Sequence, residues 1–254
     1  MIFDTHAHYD DEAFDKDREE LLENVHAHGI AYIMNVGANI ESCRSTLKLT
    51  EQYPFIYGAM GVHPSDTIEM NEENIAWIER KCGLEKIKAV GEIGLDYHYP
   101  EPSKEHQKKW FARQLDVARR VKLPVIIHSR EAAQDTLDLM KAEKAGEIGG
   151  VIHCFSYGVE MAREYLQMGY YIGIGGVLTF SNAKKLREVV AYIPTDRILL
   201  ETDCPYLAPV PFRGKRNSSL YIPYVVEEIA KIKGISRDEV EEITMRNAKD
   251  MYHI

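Results

Sequence analysis

Short apolar runs rich in Val, Ile and Tyr recur eight times along the chain: Ile2–His6, Ile30–Val36, Ile56–Val62, Ala89–Leu95, Pro124–His128, Gly150–Cys154, Tyr170–Gly175 and Ile198–Asp203. Each has the length and composition of a strand. Polar stretches with helical spacing lie between them, at Asp17–His28, Glu41–Gln52, Glu72–Cys82, Lys104–Val121, Ala132–Lys144, Glu160–Met168 and Ala183–Tyr192. Near-continuous apolar runs mark strands buried on both faces. This alternation admits a closed (β/α)8 barrel or a doubly wound open sheet. The count of eight and the even spacing favour the α/β barrel of the TIM type. No linker, low-complexity tract or composition shift divides the 254 residues, so 1–254 reads as a single domain.

Local signals agree. Ser103 is placed to cap the Lys104–Val121 helix, whose apolar face carries Trp110, Leu115 and Ala118. Tyr221–Lys233 reads as the helix after the last strand, and Ser236-Arg237-Asp238-Glu239 opens the final helix with a capping box.

Bulk properties exclude several classes. No apolar run approaches the roughly 18–20 residues that span a bilayer, and Met1 is followed at once by a strand-like segment. A leader or membrane anchor is therefore not expected, and the expected location is cytoplasmic. Cys43, Cys82, Cys154 and Cys204 are far apart and form no Cys-x-x-Cys, which fits free thiols in a reducing compartment. The net charge of −9 counts against a protein that coats duplex DNA, though not against an enzyme with one local basic loop.

The chemistry lies in how the runs end. In a strand, side chains alternate, so Asp4, His6 and His8 share a face. Run three ends in Val62-His63-Pro64, and run four carries Gly91-Glu92-Ile93-Gly94-Leu95-Asp96. Run five ends in His128-Ser129-Arg130, run six in His153-Cys154 and run eight in Glu201-Thr202-Asp203. Six of eight runs thus finish in a His or a carboxylate, groups that are costly to bury alone. A closed barrel would bring these ends to one mouth. Imidazole plus carboxylate without thiolate suits zinc, manganese, iron or cobalt, with magnesium or calcium at the carboxylate-rich part. The number of donors suits two ions sharing a bridging carboxylate, an arrangement that acidifies water and clamps attacking and leaving oxygens. Asp4 shares the face of His6 and His8 but lies deeper, where it would support the ligands.

In this order, Asp4-Thr5-His6-Ala7-His8, Gly61-Val62-His63-Pro64, Gly91-Glu92-Ile93-Gly94-Leu95-Asp96-Tyr97, Ile127-His128-Ser129-Arg130, His153-Cys154-Phe155-Ser156 and Leu200-Glu201-Thr202-Asp203-Cys204-Pro205-Tyr206 resemble the motif series of the TatD-type metal-dependent deoxyribonucleases, within the amidohydrolase-like TIM-barrel superfamily. The resemblance runs from Ile2 to about Asn247. It implies a divalent-metal hydrolase of DNA, typically a 3′ exonuclease, with single strands or 3′ ends as substrate. It also implies His6, His8, Glu92, His128, His153 and Asp203 as ligands of two divalent ions (Mg, Mn or Zn), with Glu92 shared. His63 matches a further active-site histidine, and Glu201, on the strand face of Asp203, is expected to add a ligand or hold a water. Asp203 is placed to take the water's proton, and His63 or His153 to assist the leaving oxygen.

Substrate phosphates need cations. Arg213, Lys215 and Arg216 fall in the loop after strand eight, where barrels bind phosphate, and Arg130 follows His128. The family's Arg-Gly-x-x-Asn-Glu-Pro loop reads here Arg213-Gly214-Lys215-Arg216-Asn217-Ser218-Ser219. Asn217 is kept, and Ser218-Ser219 replaces Glu-Pro. Tyr97, Tyr99, Tyr157 and Phe180 follow strand ends and are candidates to stack on bases. Two rival readings stand beside the nuclease. One is hydrolysis of a small-molecule amide, ester, lactone or phosphotriester, or of an aminoacyl-tRNA ester. The other is a binding barrel with structural metals.

Overall fold

The computed structural model describes residues 1–254. Eight strands alternate with helices: β1 (Ile2–Ala7), α1 (Arg18–Ala27), β2 (Ile30–Val36), α2 (Ile40–Gln52), β3 (Ile56–Met60), α3 (Glu72–Lys81), β4 (Ile87–Asp96), α4 (Lys104–Val121), β5 (Val125–Arg130), α5 (Ala133–Ala142), β6 (Gly150–Ile152), α6 (Val159–Gln167), β7 (Tyr171–Ile174), α7 (Lys184–Tyr192), β8 (Ile198–Leu200), α8 (Ile222–Lys233) and α9 (Arg237–Tyr252). All neighbouring strands pair in parallel in the order β1 to β8. The seam between β8 and β1 closes beyond the end of β8, where Ala7 bridges Cys204 and the His8 N–H donates to Cys204 O at 2.9 Å. The Thr5 hydroxyl donates to Leu200 O across the same seam. The expected barrel is therefore the observed one.

Two apolar layers hold it. The larger core lies between sheet and helices and includes Trp110, Phe111 and Leu115 of α4 and Val225, Val226 and Ile229 of α8. The smaller layer takes Met34, Ala59, Ala89, Ile126, Val151 and Leu199 from the strands and Ala248, Met251 and Tyr252 from α9. Ile126, Val151 and Leu199 each precede a site residue (His128, His153, Glu201) by two positions, so they occupy the same face lower in the barrel. Tyr252 of α9 donates to Thr5 O at 3.0 Å and packs on Phe3.

Helix ends follow the sequence. The Ser103 hydroxyl accepts from His106 N–H at the start of α4, and Ser236 with Glu239 forms the complete capping box of α9. Boundaries shift at the strand ends. Runs six and eight stop at Ile152 and Leu200, because Cys154 and Asp203 adopt positive φ of 45° and 58° and turn the chain out of the sheet. No helix is long and apolar enough to cross a membrane.

Candidate metal centre

β1 carries Asp4 and His6, both buried, and His8 follows just past its end and lines the barrel mouth. The Nε2 atoms of His6 and His8 lie 3.1 Å apart. His8 Nδ1 sits 2.8 Å from Val36 O. A carbonyl only accepts, so Nδ1 carries the proton and a neutral His8 presents a bare Nε2 lone pair to the centre. Asp203 Oδ1 lies 3.4 Å from His8 Nε2 and 3.7 Å from His6 Nε2. The turn at Asp203 brings it there, although β8 has already ended.

Glu92 divides its carboxylate. Oε2 lies 3.5 Å from His6 Nε2 and 3.7 Å from His8 Nε2, whereas Oε1 lies 2.7 Å from His128 Nδ1 and 3.0 Å from His153 Nε2. One buried carboxylate thus faces two sets of imidazoles. Gly94, two residues on, has a positive φ of 148°, and a Cβ there would collide with His128 O. The missing side chain lets β4 and β5 close on each other beside these ligands. Convergent imidazole and carboxylate donors without thiolate fit a divalent cation. Two buried ring nitrogens, His6 Nδ1 and His153 Nδ1, make no hydrogen bond.

Without a cation the cluster is held by protons. Burial pushes the His8 pKa down, but the Asp203 hydrogen bond and the charges of Asp203 and Glu92 carry it up to about 9. His128 is raised against burial by hydrogen bonds to Asp96 and Glu92, and His153 well above its usual value by the charges of Glu92 and Glu201. Burial resists ionisation of Glu92, yet the charges of His153 and His6 and the His128 hydrogen bond hold its carboxyl well below the usual range. Asp203 is lowered against burial by His8, His153 and His6. Burial and the neighbouring His153 push His6 down. Cation binding must therefore displace protons.

His63 sits just past β3, its ring 4.3 Å from that of His128. Its Nδ1 accepts from Ser65 N–H at 3.2 Å. The ring proton is therefore on Nε2, and the side chain is a neutral donor. Burial and then the His128 charge push its pKa to about 3. Asp96 was not among the expected site residues, yet it accepts from His128 Nε2 at 3.1 Å and lines the mouth. The signal for it was its place four residues from Glu92 on the same strand, hence on the same face. Asp4 fits the supporting role. It accepts from the Ser219 and Thr202 hydroxyls at 2.6 and 2.7 Å and from the backbone N–H of Thr202 and His6. Glu201 shares no strand face with Asp203, because β8 ends at Leu200; its Oε1 accepts from Cys154 N–H at 2.6 Å, below the imidazoles.

The mouth opens into a cleft of about 1060 Å³ lined by His8, His63, Glu92, His128, His153 and Asp203 among others. Arg130 lines it, with the exposed Tyr99 ring 6.0 Å from the guanidinium. The other expected phosphate contacts lie elsewhere. Arg216 forms a two-point pair with Asp17 and covers the Phe14 ring. Asn217 is buried and donates to Thr202 O and Tyr206 O. Arg213 lies over Phe180, and neither it nor the exposed Lys215 lines the cleft. The physical reason is that this loop folds back onto the segment after β1, so its polar groups tie two loops together. Tyr97 and Tyr157 are likewise engaged, donating to Asp135 and bonding Ser129. Tyr206, 55% exposed, lines the mouth and donates to Asp11.

A family model described as TatD related DNase matches residues 3–253. The uncharacterized metal-dependent hydrolase YabD of Bacillus subtilis is 46% identical over 254 residues, covering 100% of both chains. The 3′-5′ ssDNA/RNA exonuclease TatD of Salmonella typhimurium is 29% identical, covering 100% of this chain and 99% of its own. Among solved structures, YjjV, a TatD homologue from Escherichia coli K12, superposes with a TM-score of 0.94 at 30% identity, covering 100% of this chain and 98% of that one.

Proposed function

The chain belongs to the TatD related DNase family and is a metal-dependent hydrolase, and from that premise we propose that it hydrolyses phosphodiester bonds at the 3′ end of single-stranded DNA with two divalent ions, Mg, Mn or Zn. The observation that carries this reading is the Glu92 carboxylate, whose two oxygens face separate donor sets: Oε2 with His6, His8 and Asp203, Oε1 with His128 and His153. Two bound ions would acidify a water and offset charge on the phosphoryl oxygens.

The chain's own groups then have defined work. Asp203, its side chain 18% exposed, is the most open of the carboxylates at the centre and takes the water's proton. His63 directs its Nε2–H to a phosphoryl oxygen, a donor fixed before the reaction begins. Arg130 pairs with a neighbouring phosphate, and Tyr99, 58% exposed, offers a face to an unpaired base. The preference for an end draws support from the charge of the mouth. Asp10, Asp11, Glu12, Glu41 and Asp66 line it, and Arg130 is the one Arg or Lys beside them, so a polyanion passing across would be repelled on one side.

The same acidic rim favours a second reading, hydrolysis of an ester or amide in a substrate with few phosphates. The test is a time course with 3′-labelled and 5′-labelled single-stranded DNA in Mg²⁺, Mn²⁺ or Zn²⁺, beside a carboxylic ester. Loss of the 3′ label first, stopped by EDTA, is expected. Ester hydrolysis with no nucleotide released in any of the three ions would replace the nuclease reading by the second.

A further inference from the structure

Below the centre lies a group of buried polar atoms that the proposed reaction does not use. His6 and His153 stack with ring centroids 3.7 Å apart and planes 16° apart. Both turn Nε2 toward Glu92, so both turn Nδ1 away from it. His6 Nδ1, His153 Nδ1 and Glu201 Oε2 are all buried, and none has a hydrogen-bond partner. His6, His153 and Glu201 each offer an atom within 4.8 Å of the others, and His153 Nδ1 lies 3.4 Å from Glu201 Oε1. A second observation shows that the carboxylate is seated on purpose: a Cβ on Gly173 of β7 would collide with Glu201 Oε2. The sheet leaves room for this side chain and for nothing larger beside it.

A neutral imidazole that offers Nε2 to a cation must carry its proton on Nδ1. A buried N–H without an acceptor costs about 1–3 kcal/mol. Two such protons therefore need an acceptor here, and Glu201 is the only side-chain acceptor whose free oxygen is buried among them. His6 belongs to the Oε2 side of Glu92 and His153 to the Oε1 side. We propose that Glu201 is the common acceptor of the His6 and His153 Nδ1 protons, directly or through one buried water, and thereby fixes one ligand in each half of the metal centre. It is a positioning residue: neither a ligand nor the base. This rests on the metal centre and not on which bond is cleaved.

The test uses Zn²⁺ titration of the full chain by calorimetry and nitrogen-15 spectra of its histidines. In Glu201→Ala the affinity of both halves should fall about 10–100-fold with unchanged stoichiometry. Glu201→Gln, whose amide oxygen still accepts one proton, should fall less. Gly173→Ala, which displaces the carboxylate without removing it, should weaken both halves in the same direction; thermal unfolding verifies that each variant is folded. The wild-type spectra should show protons on Nδ1 of both His6 and His153. Unchanged affinity in Glu201→Ala, loss of one whole equivalent, or an unprotonated Nδ1 on either histidine would overturn the assignment. A wild type that binds no Zn²⁺ would contradict the metal centre itself and overturn the assignment with it.

Discussion

Replacing Glu92 by Gln removes one negative charge from among four imidazoles while keeping the shape of the side chain. In the cation-free protein Glu92 contacts His128 at 2.7 Å, His153 at 3.0 Å, His6 at 3.5 Å and His8 at 3.7 Å, all buried or nearly so. Removing one partner of a buried ion pair costs about 3–5 kcal/mol, because the charge left behind is uncompensated. At about 2–4 °C per kcal/mol for a chain of this size, the melting temperature should fall by about 6–20 °C. The loss depends on pH with a definite sign. His8, His128 and His153 have raised pKa values, so their pairing with Glu92 stabilises fully below the ordinary His value of 6.5 and fades as pH rises through the raised values, about 9 for His8. Glu92 itself is lowered, so its contribution is present above the ordinary Glu value of 4.5 and is lost as pH falls through its depressed pKa. The deficit should therefore be greatest between pH 4.5 and 6.5 and should shrink as pH rises through about 9, where His8 loses its proton. Thermal unfolding of EDTA-treated wild type and E92Q at pH 5.5 and 9.5 measures it. A deficit equal at both values, or larger at pH 9.5, would refute the reasoning.

Three further outcomes follow from the placement of other residues. His63→Ala should retain its Zn²⁺ stoichiometry and lose activity by a similar factor on bis(p-nitrophenyl) phosphate and on an oligonucleotide; a loss confined to the oligonucleotide, whose leaving oxygen needs a proton, would make His63 a general acid. Arg130→Ala should raise KM for single-stranded DNA and flatten its salt dependence, whereas Arg216→Ala, which breaks a partly exposed pair with Asp17, should change KM less than about threefold and stability by less than about 1 kcal/mol. Ser219→Ala removes buried hydrogen bonds to Asp4 and Tyr9 and should lower stability by about 1–3 kcal/mol, read as a fall in melting temperature.

The barrel was legible because its signals are local and repeated. Eight apolar runs, the Ser103 cap and the capping box at Ser236 each depend on residues a few positions apart, and α4 occupies Lys104–Val121 as expected. The convergence of His6, His8, Glu92, His128, His153 and Asp203 was legible because a barrel collects strand ends. The face shared by Glu201 and Asp203 was not, since strand periodicity stops at Leu200 and a positive φ re-aims Asp203. The place of the basic loop was not legible either, for a different reason. The partners of Arg216 and Asn217 are Asp17, far away in sequence, and backbone carbonyls that composition does not reveal. Ser219, where the resembling family carries Pro, holds Asp4 in the buried interior, a contact that only the folded chain displays.

The central claim is that Glu92 stands between two cations. Crystals soaked in Mn²⁺ and measured at the manganese absorption edge test it most directly. Two anomalous peaks are predicted, one beside Oε2 with His6, His8 and Asp203, the other beside Oε1 with His128 and His153. A single peak, or peaks that leave Glu92 out of contact, would contradict the account.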